Sequence, residues 1–542
     1  MEHDREQSIV IKLSETDPFY SKKKKLLQTK GFDVEVCLQL QKDSCSQWID
    51  DAATTMLQVS RIICLDETEL YFRVDGSCTP SGYYTPKNEL EALISVLNHL
   101  KNTVLGKNSL CKDVLKNLES VIGRLLGEFG DKILENPLPA KLDYCTKEKE
   151  LLEWGKNNGV QSALQIAYIE GFSRGAIAVE DLNVGDVALE IPISVIITEE
   201  VLQESHLFPI LQTIDGISTE TMLLIWSMKE RYNPSSRFKL YFETLPEAFN
   251  TGLRFGMEAI IALDGTILFE ELMQAKEHLR SQYDELFPAL CDQNPDLFPL
   301  GFYSWEQFLW ACELWYSNSM KVKYPDGTVK TCLIPIAGFL NHSFCPHIMQ
   351  YGRIDASSST LKFPMSRPCR AGEQCYLSYG NYSSSHLVTF YGFLPEEDNP
   401  HDVIPLDIDD SPNEDGPTDS GWTTHMVRGT WLSDKHDIFH YGLPLPLLEK
   451  LRTARKHIVN DDDSSLPDEL TIEIAVLEDL SSIFGSMLEN LGEMDPDTCK
   501  NAAWDVKLAE KYKSLQRRIV SSILRSCESG LKSLQEQVNN ST

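Results

Sequence analysis

The segment Leu333–Leu394 decides how the rest of this chain is read. It begins LIPIAGFLNHSFCPHIMQYG (333–352) and ends AGEQCYLSYGNYSSSHLVTFYGFL (371–394). Two short pieces carry the information, Asn341-His342-Ser343 and Tyr379-Gly380, well separated along the chain. Each ends an apolar run and sets polar groups beside small residues and turns. That pattern expects backbone drawn close around a ligand, not ordinary core.

Working outward, the periodicity changes character several times. QIAYIEG (165–171), GAIAVEDL (175–182) and DVALEIPISVIIT (186–198) are rich in Ala, Val and Ile and bounded by Gly-containing turns, and they read as strands. From about 199 to 316 the helical period returns, with TMLLIWSMKER and SWEQFLWACELWYS as helices of wide apolar face. Strand patterns resume in TVKTCLIPIAG and TLKFPMSRPCRAGEQCYLSYG. A helical block therefore interrupts a small β unit, and the expected class is α+β.

Residues 1–140 read as a helical lobe. Stripes such as Leu90, Leu93, Ile94, Leu97 and Leu100 recur at helical spacing. The interrupted β unit spans 146–400. An acidic linker is expected over 401–421, where DIDDSPNEDGPTDSG combines charge with Pro and Gly. A second helical lobe follows over 422–542. Its last stretch places Leu508, Tyr512, Leu515, Ile519, Ile523, Cys527 and Leu531 three or four positions apart, one long amphipathic helix made for bundle packing.

Composition narrows the function. A formal net charge of −31 argues against nonspecific nucleic-acid binding, which needs clustered Lys and Arg, and suits a basic protein segment as partner. The fourteen cysteines form no C-x-x-C, so neither a structural zinc site nor a disulfide scaffold is expected, and no metal is assigned. No apolar run is long enough for a bilayer. With no secretory or transit signal in MEHDREQSIV, the expectation is a soluble intracellular protein, in cytoplasm or nucleus ahead of chloroplast.

IEGFSRGAIAVEDL, IPIAGFLNHS, GEQCYLSYG and FYGFLP resemble, in this order, the motifs of SET-domain methyltransferases. They are most similar to the subclass of Rubisco large-subunit lysine methyltransferase, whose SET domain is split by a helical insert and followed by a helical substrate-binding domain. The likeness covers 146–400 well and 422–542 in outline. Phrases within 1–140 also resemble that helical domain, either as a second lobe or as a fused gene model.

The resemblance implies S-adenosylmethionine as cofactor and protein lysine as substrate, with protein histidine as the alternative target. A SET-fold interaction module without catalysis is the alternative from another class. It places Glu170, Ser173, Arg174 and Gly175 of the EGFSRG turn, then Phe339, Asn341, His342 and Tyr391, around the cofactor. Arg174 would face the cofactor carboxylate. Tyr379 would stand at the methyl-transfer centre, and Tyr351 would line the target channel or, as an ordinary strand residue, face solvent. Two departures stand out: Ser173 where close relatives often have Gly, and Asn318 near the place of a cofactor-contacting Arg.

The residues also make chemical sense apart from the resemblance. Methyl transfer to nitrogen needs a neutral nucleophile, and a lysine of pKa about 10.4 pays roughly 4–5 kcal/mol for neutrality near pH 7. A mostly apolar channel lowers that cost. A tyrosine hydroxyl stays protonated there and suits orientation better than base work.

Overall fold

The computed structural model describes residues 8–40, 46–72, 85–105, 109–132, 140–141, 145–169, 173–349, 351–408, 422, 424–432, 441–460, 469–493 and 501–541. Two compact units emerge, each built from three separated stretches of chain. The first comprises Met1–Asp66, Cys78–Glu247 and Ala289–Gly380; the second comprises Glu67–Ser77, Ala248–Pro288 and Asn381–Thr542. The class is α+β, as the alternation of periods predicts.

In the first unit, Leu164–Ile169 and Ser173–Ala178 pair as an antiparallel hairpin, with Ala167 opposite Gly175 and Tyr168 opposite Arg174. A four-stranded antiparallel sheet orders Ile354–Asp355, Thr360–Pro364, Val187–Pro192 and Gln161–Ser162 side by side. Ala188, Leu189 and Ile191 are buried against the core. The expected strand through IPISVIIT stops early. Pro192 has no N–H to give the ladder, and Ile193–Val195 closes a 3-10 turn instead.

The helices Ser46–Ile63, Pro86–Leu105 and Ser109–Lys132 bury Ile49, Met56, Leu93, Leu97, Leu118 and Ile122 in one cluster. Cys345, Val184 and Met349 of the β region pack into the same cluster. The helical region up to Phe129 is therefore continuous with the β region in one core, and position 140 marks no break in compactness. Residues 67–77 belong to the other unit.

The second unit is built on Glu469–Asn490 and the 38-residue helix Trp504–Ser541. Leu477, Leu480 and Phe484 pack with Ile519, Val520, Ile523 and Cys527, so the predicted amphipathic stripe is bundle core. The expected linker over 401–421 is shorter than read. Val403–Leu406 is a strand paired antiparallel with His425–Arg428, because its alternating side chains find cover in the same unit. The rest of the acidic run, 409–421, lies outside the described residues. Among the described residues no helix is long and apolar enough to cross a membrane.

Candidate functional site

Asn341–His342 and Tyr376–Leu377 lie side by side as a parallel pair, with Asn341 opposite Tyr376 and His342 opposite Leu377. A second parallel bridge joins Ile348 to Leu377. The two motif segments are thereby brought together, although the chain between them forms other strands.

The approach to Asn341 is strained. Ile336 adopts φ +74° and ψ −43°, a conformation that β-branched residues avoid. It is held by burial, with its Cδ1 2.3 Å from where a Cβ on Gly155 would lie. The 3-10 turn Ala337–Phe339 follows at once and launches Leu340 and Asn341 toward the hairpin.

Asn341 donates from Nδ2 to the Arg174 carbonyl at 2.9 Å. This clasp requires a glycine next door. A Cβ on Gly175 would stand 2.6 Å from Ile169 Cδ1, 2.9 Å from Gln374 Nε2 and 3.1 Å from Asn341 Nδ2. Close packing, not an unusual φ, is therefore the reason for this glycine. Asn318 ends the helix Trp305–Asn318 and donates to Ser317 Oγ at 2.7 Å. Its Oδ1 lies 3.2 Å from where a Cβ on Gly338 would be, immediately before Phe339.

His342 accepts the Tyr379 backbone N–H at Nδ1, 3.0 Å away, and its ring stacks on the Tyr379 ring with centroids 5.3 Å apart. With Nδ1 accepting, the neutral ring carries its proton on Nε2. The Tyr379 hydroxyl donates to the Leu340 carbonyl at 3.2 Å. Burial of that hydroxyl pushes its pKa up, so it is a hydrogen-bond donor near neutral pH and no base. Tyr351 reaches the same segment, donating its hydroxyl to the Ser378 carbonyl while its ring stacks on Phe363 at 5.7 Å.

Arg174 departs from expectation. Its Nη1 donates to Glu148 Oε1 at 3.1 Å and to the Thr244 carbonyl at 2.9 Å, and its guanidinium lies 5.5 Å from the Phe339 ring centroid. The charge expected to face a ligand carboxylate is already matched inside the protein. Glu148 is 1% exposed, and a carboxylate so buried requires a cation and donors around it. It also accepts from the Tyr168 hydroxyl at 3.2 Å and from the Cys145 backbone N–H at 2.9 Å.

Sequence reading missed Glu148 because a Glu in the first turn of a helix, here Thr146–Asn157, is ordinarily a surface capping residue. Its only signal is position, in the first turn of a helix that precedes the hairpin.

The first unit thus gathers Arg174, Gly175, Phe339, Asn341, His342, Tyr351 and Tyr379. The backbone of Ser173 pairs with Ile169 at the hairpin's end, and Glu170 lies outside the described residues. Tyr391 belongs to the second unit, at the end of the helix Ser384–Tyr391. There it lies 6.0 Å from the Tyr382 ring and 6.3 Å from the His386 ring.

No family model matches the chain. It is 27% identical over 281 residues to the [fructose-bisphosphate aldolase]-lysine N-methyltransferase, chloroplastic, of Arabidopsis thaliana, covering 50% of this chain and 56% of that one. It is 25% identical over 276 residues to the actin-histidine N-methyltransferase of Homo sapiens, covering 48% and 44%. The chain thus spans about half the length of the curated relatives it matches.

Among solved structures, Rubisco LSMT bound to sinefungin and monomethyllysine superposes with a TM-score of 0.54 at 17% identity, over 72% of this chain and 94% of that one. Rubisco LSMT bound to AdoMet gives 0.51 at 17% identity over 72% and 94%. The fold of this chain is that of the LSMT SET-domain structures.

Proposed function

We propose that this protein transfers a methyl group from S-adenosylmethionine to a lysine of a protein substrate. The observation that carries this reading is the parallel pairing of 341–342 with 376–377. It stacks His342 on Tyr379 while Asn341 holds the turn strand at Arg174. It does so in the fold of proteins solved with AdoMet and with monomethyllysine. In this reading Asn341, His342, Phe339, Glu170, Ser173 and Gly175 surround the cofactor, with Arg174 held by Glu148.

Tyr379 orients the reacting groups through a hydroxyl that remains protonated. A half-buried aromatic surface around it favours the neutral amine and also faces the sulfonium charge. Tyr351 lines the channel for the target side chain. The excess of acidic residues suits a basic segment on the partner protein, and the helical lobes are the surfaces to grip it. A reducing intracellular compartment, cytoplasm or nucleus, goes with the reading, since the described cysteines are free thiols.

Histidine is the second target, favoured by one specific observation, the likeness to actin-histidine N-methyltransferases. A neutral imidazole needs little help near pH 7. Titration calorimetry with S-adenosylmethionine tests the first half of the proposal, and saturable heat is expected. No binding at millimolar cofactor would leave the interaction-module reading in its place. Labelled-cofactor methylation of a cell extract, with mass spectrometry of the labelled peptides, tests the second half. Methyl-lysine is expected, and methyl-histidine alone would transfer the activity to the second target.

A further inference from the structure

His347, Cys369 and Cys375 lie together inside the first unit, with one potential ligand atom from each within 4.8 Å of the others. Their exposures are 0%, 1% and 0%. None belongs to the candidate methyl-transfer site, and none follows a C-x-x-C spacing. The chain pairing makes the cluster. Cys369 bridges Leu182, while the Cys375 N–H donates to the Ala176 carbonyl at 2.8 Å. The backbone of both thiols is thereby fixed.

The surroundings are those of a cation site. His347 Nε2 lies 3.2 Å from Glu373 Oε1, and His347 Nδ1 accepts the Tyr376 N–H at 3.1 Å. A carboxylate on the ring of a ligating histidine is the usual outer partner that orients it. Arg367 stands 3.9 Å from the same Glu373 carboxylate, nearly buried, and donates from Nε to the Cys345 carbonyl at 3.1 Å.

We infer that His347, Cys369 and Cys375 form a binding site for a soft divalent cation, zinc by preference. Two thiolates and an imidazole are three of the four donors that tetrahedral zinc takes, the fourth being a water carried in with the ion, and the edges of such a site are roughly 3.5–3.8 Å, so the ligands close by up to about 1 Å. The reaction balances: one Zn²⁺ enters, two Zn–S bonds form, and the two thiol protons leave to solvent. Charge balances too, because the dication and two thiolates are neutral together, and Glu373 is matched by Arg367. With Nε2 kept on Glu373, the ligand atom is His347 Nδ1, so the Tyr376 N–H it now accepts is released, one bond lost against three metal–ligand bonds gained. The inference does not depend on the methyl-transfer reading.

Cobalt is the probe. The full-length reduced protein, stripped by a chelator, is titrated with Co²⁺. The expected result is a one-to-one end point, a thiolate-to-cobalt charge-transfer band in the near ultraviolet and the intense visible bands of a tetrahedral ion. Zn²⁺ should bleach both. Cys369→Ser with Cys375→Ser should abolish the charge-transfer band, and Cys37→Ser, an exposed thiol elsewhere, should leave it unchanged. Glu373→Gln should weaken the metal by about 10–100-fold.

Absence of the charge-transfer band in the natural sequence overturns the site without any variant, so poor folding of the double variant cannot protect the idea. A band that persists in a folded double variant overturns it as well. So does finding Cys369 cross-linked to Cys375 in the natural protein purified in air, since a disulfide would take both ligands.

Discussion

Gly175→Ala is the sharpest test of how the hairpin holds Asn341. The added methyl would enter space already filled, 2.6 Å from Ile169 Cδ1 and 3.1 Å from Asn341 Nδ2. Ile169 is 3% exposed and has little room to turn. Gln374 Nε2, 2.9 Å away, belongs to a buried amide whose Oε1 accepts from the Tyr376 hydroxyl at 2.9 Å, so it can yield only by straining that bond. Overpacking costs about 1–3 kcal/mol and the strained Asn341–Arg174 bond about 1 more, against a gain of about 0.4–1 from the stiffer unfolded chain.

The net is a loss of roughly 1–4 kcal/mol, confined to the hairpin and its neighbour strand. Hydrogen–deuterium exchange on peptides from 164–178 and 341–348 reads that loss locally, which matters because a chain of two units need not unfold in one step. Faster exchange in both peptides, with S-adenosylmethionine affinity down about ten-fold, is expected. Exchange and affinity both unchanged would refute the packing account of Gly175 and the role given to the Asn341 clasp.

Three further outcomes are expected. Tyr379→Phe removes only the hydroxyl that meets Leu340, so turnover should fall about ten- to a thousand-fold while calorimetric cofactor affinity barely moves; a lower melting temperature with normal turnover would make it a structural tyrosine. Gly392, at φ +76°, leaves 1.8 Å between a would-be Cβ and the Asn250 carbonyl oxygen; Gly392→Ala should be insoluble or at least about 3 kcal/mol less stable, and ordinary expression with an unshifted melting curve counts against so tight a turn. Burial pushes the Asp402 carboxyl up to about 6, despite its bonds from Ser384 N and Oγ. The folded state therefore holds this proton more tightly than the unfolded state. Stability from this group is full at low pH and is lost as pH rises from about 4 through about 6, by at most about 3 kcal/mol. Asp402→Asn should flatten that part of the stability–pH curve, and an identical slope in both proteins would exclude Asp402 as its source.

The two segments of the candidate site that pair in the fold are readable because their signals are local. Asn341-His342 and Tyr379-Gly380 each stand at the end of an apolar run, and the run itself predicts where the pair will be presented. What escapes the sequence depends on distant chain. Ile336 at positive φ contradicts its own propensity, and packing against Gly155 sustains it. Arg174 reads as a free cation until the fold delivers Glu148. Tyr391 follows the site motifs closely along the chain yet falls in the second unit, because compactness is decided by packing that a linear pattern does not contain. The helical lobe before position 140 looks separable for the same reason.

The parallel pairing of Asn341 with Tyr376 has a kinetic consequence. A parallel pair cannot be closed by a hairpin turn. The intervening chain also lays Thr360–Pro364 against Val187–Pro192, itself a contact between segments far apart in sequence. Loop-closure entropy is thus spent before His342 can meet Tyr379, and such long-range contacts slow folding. The stacked ring pair should be among the last native contacts to form in a refolding chain. A nascent protein would then carry a finished hydrophobic core well before it carried a working site.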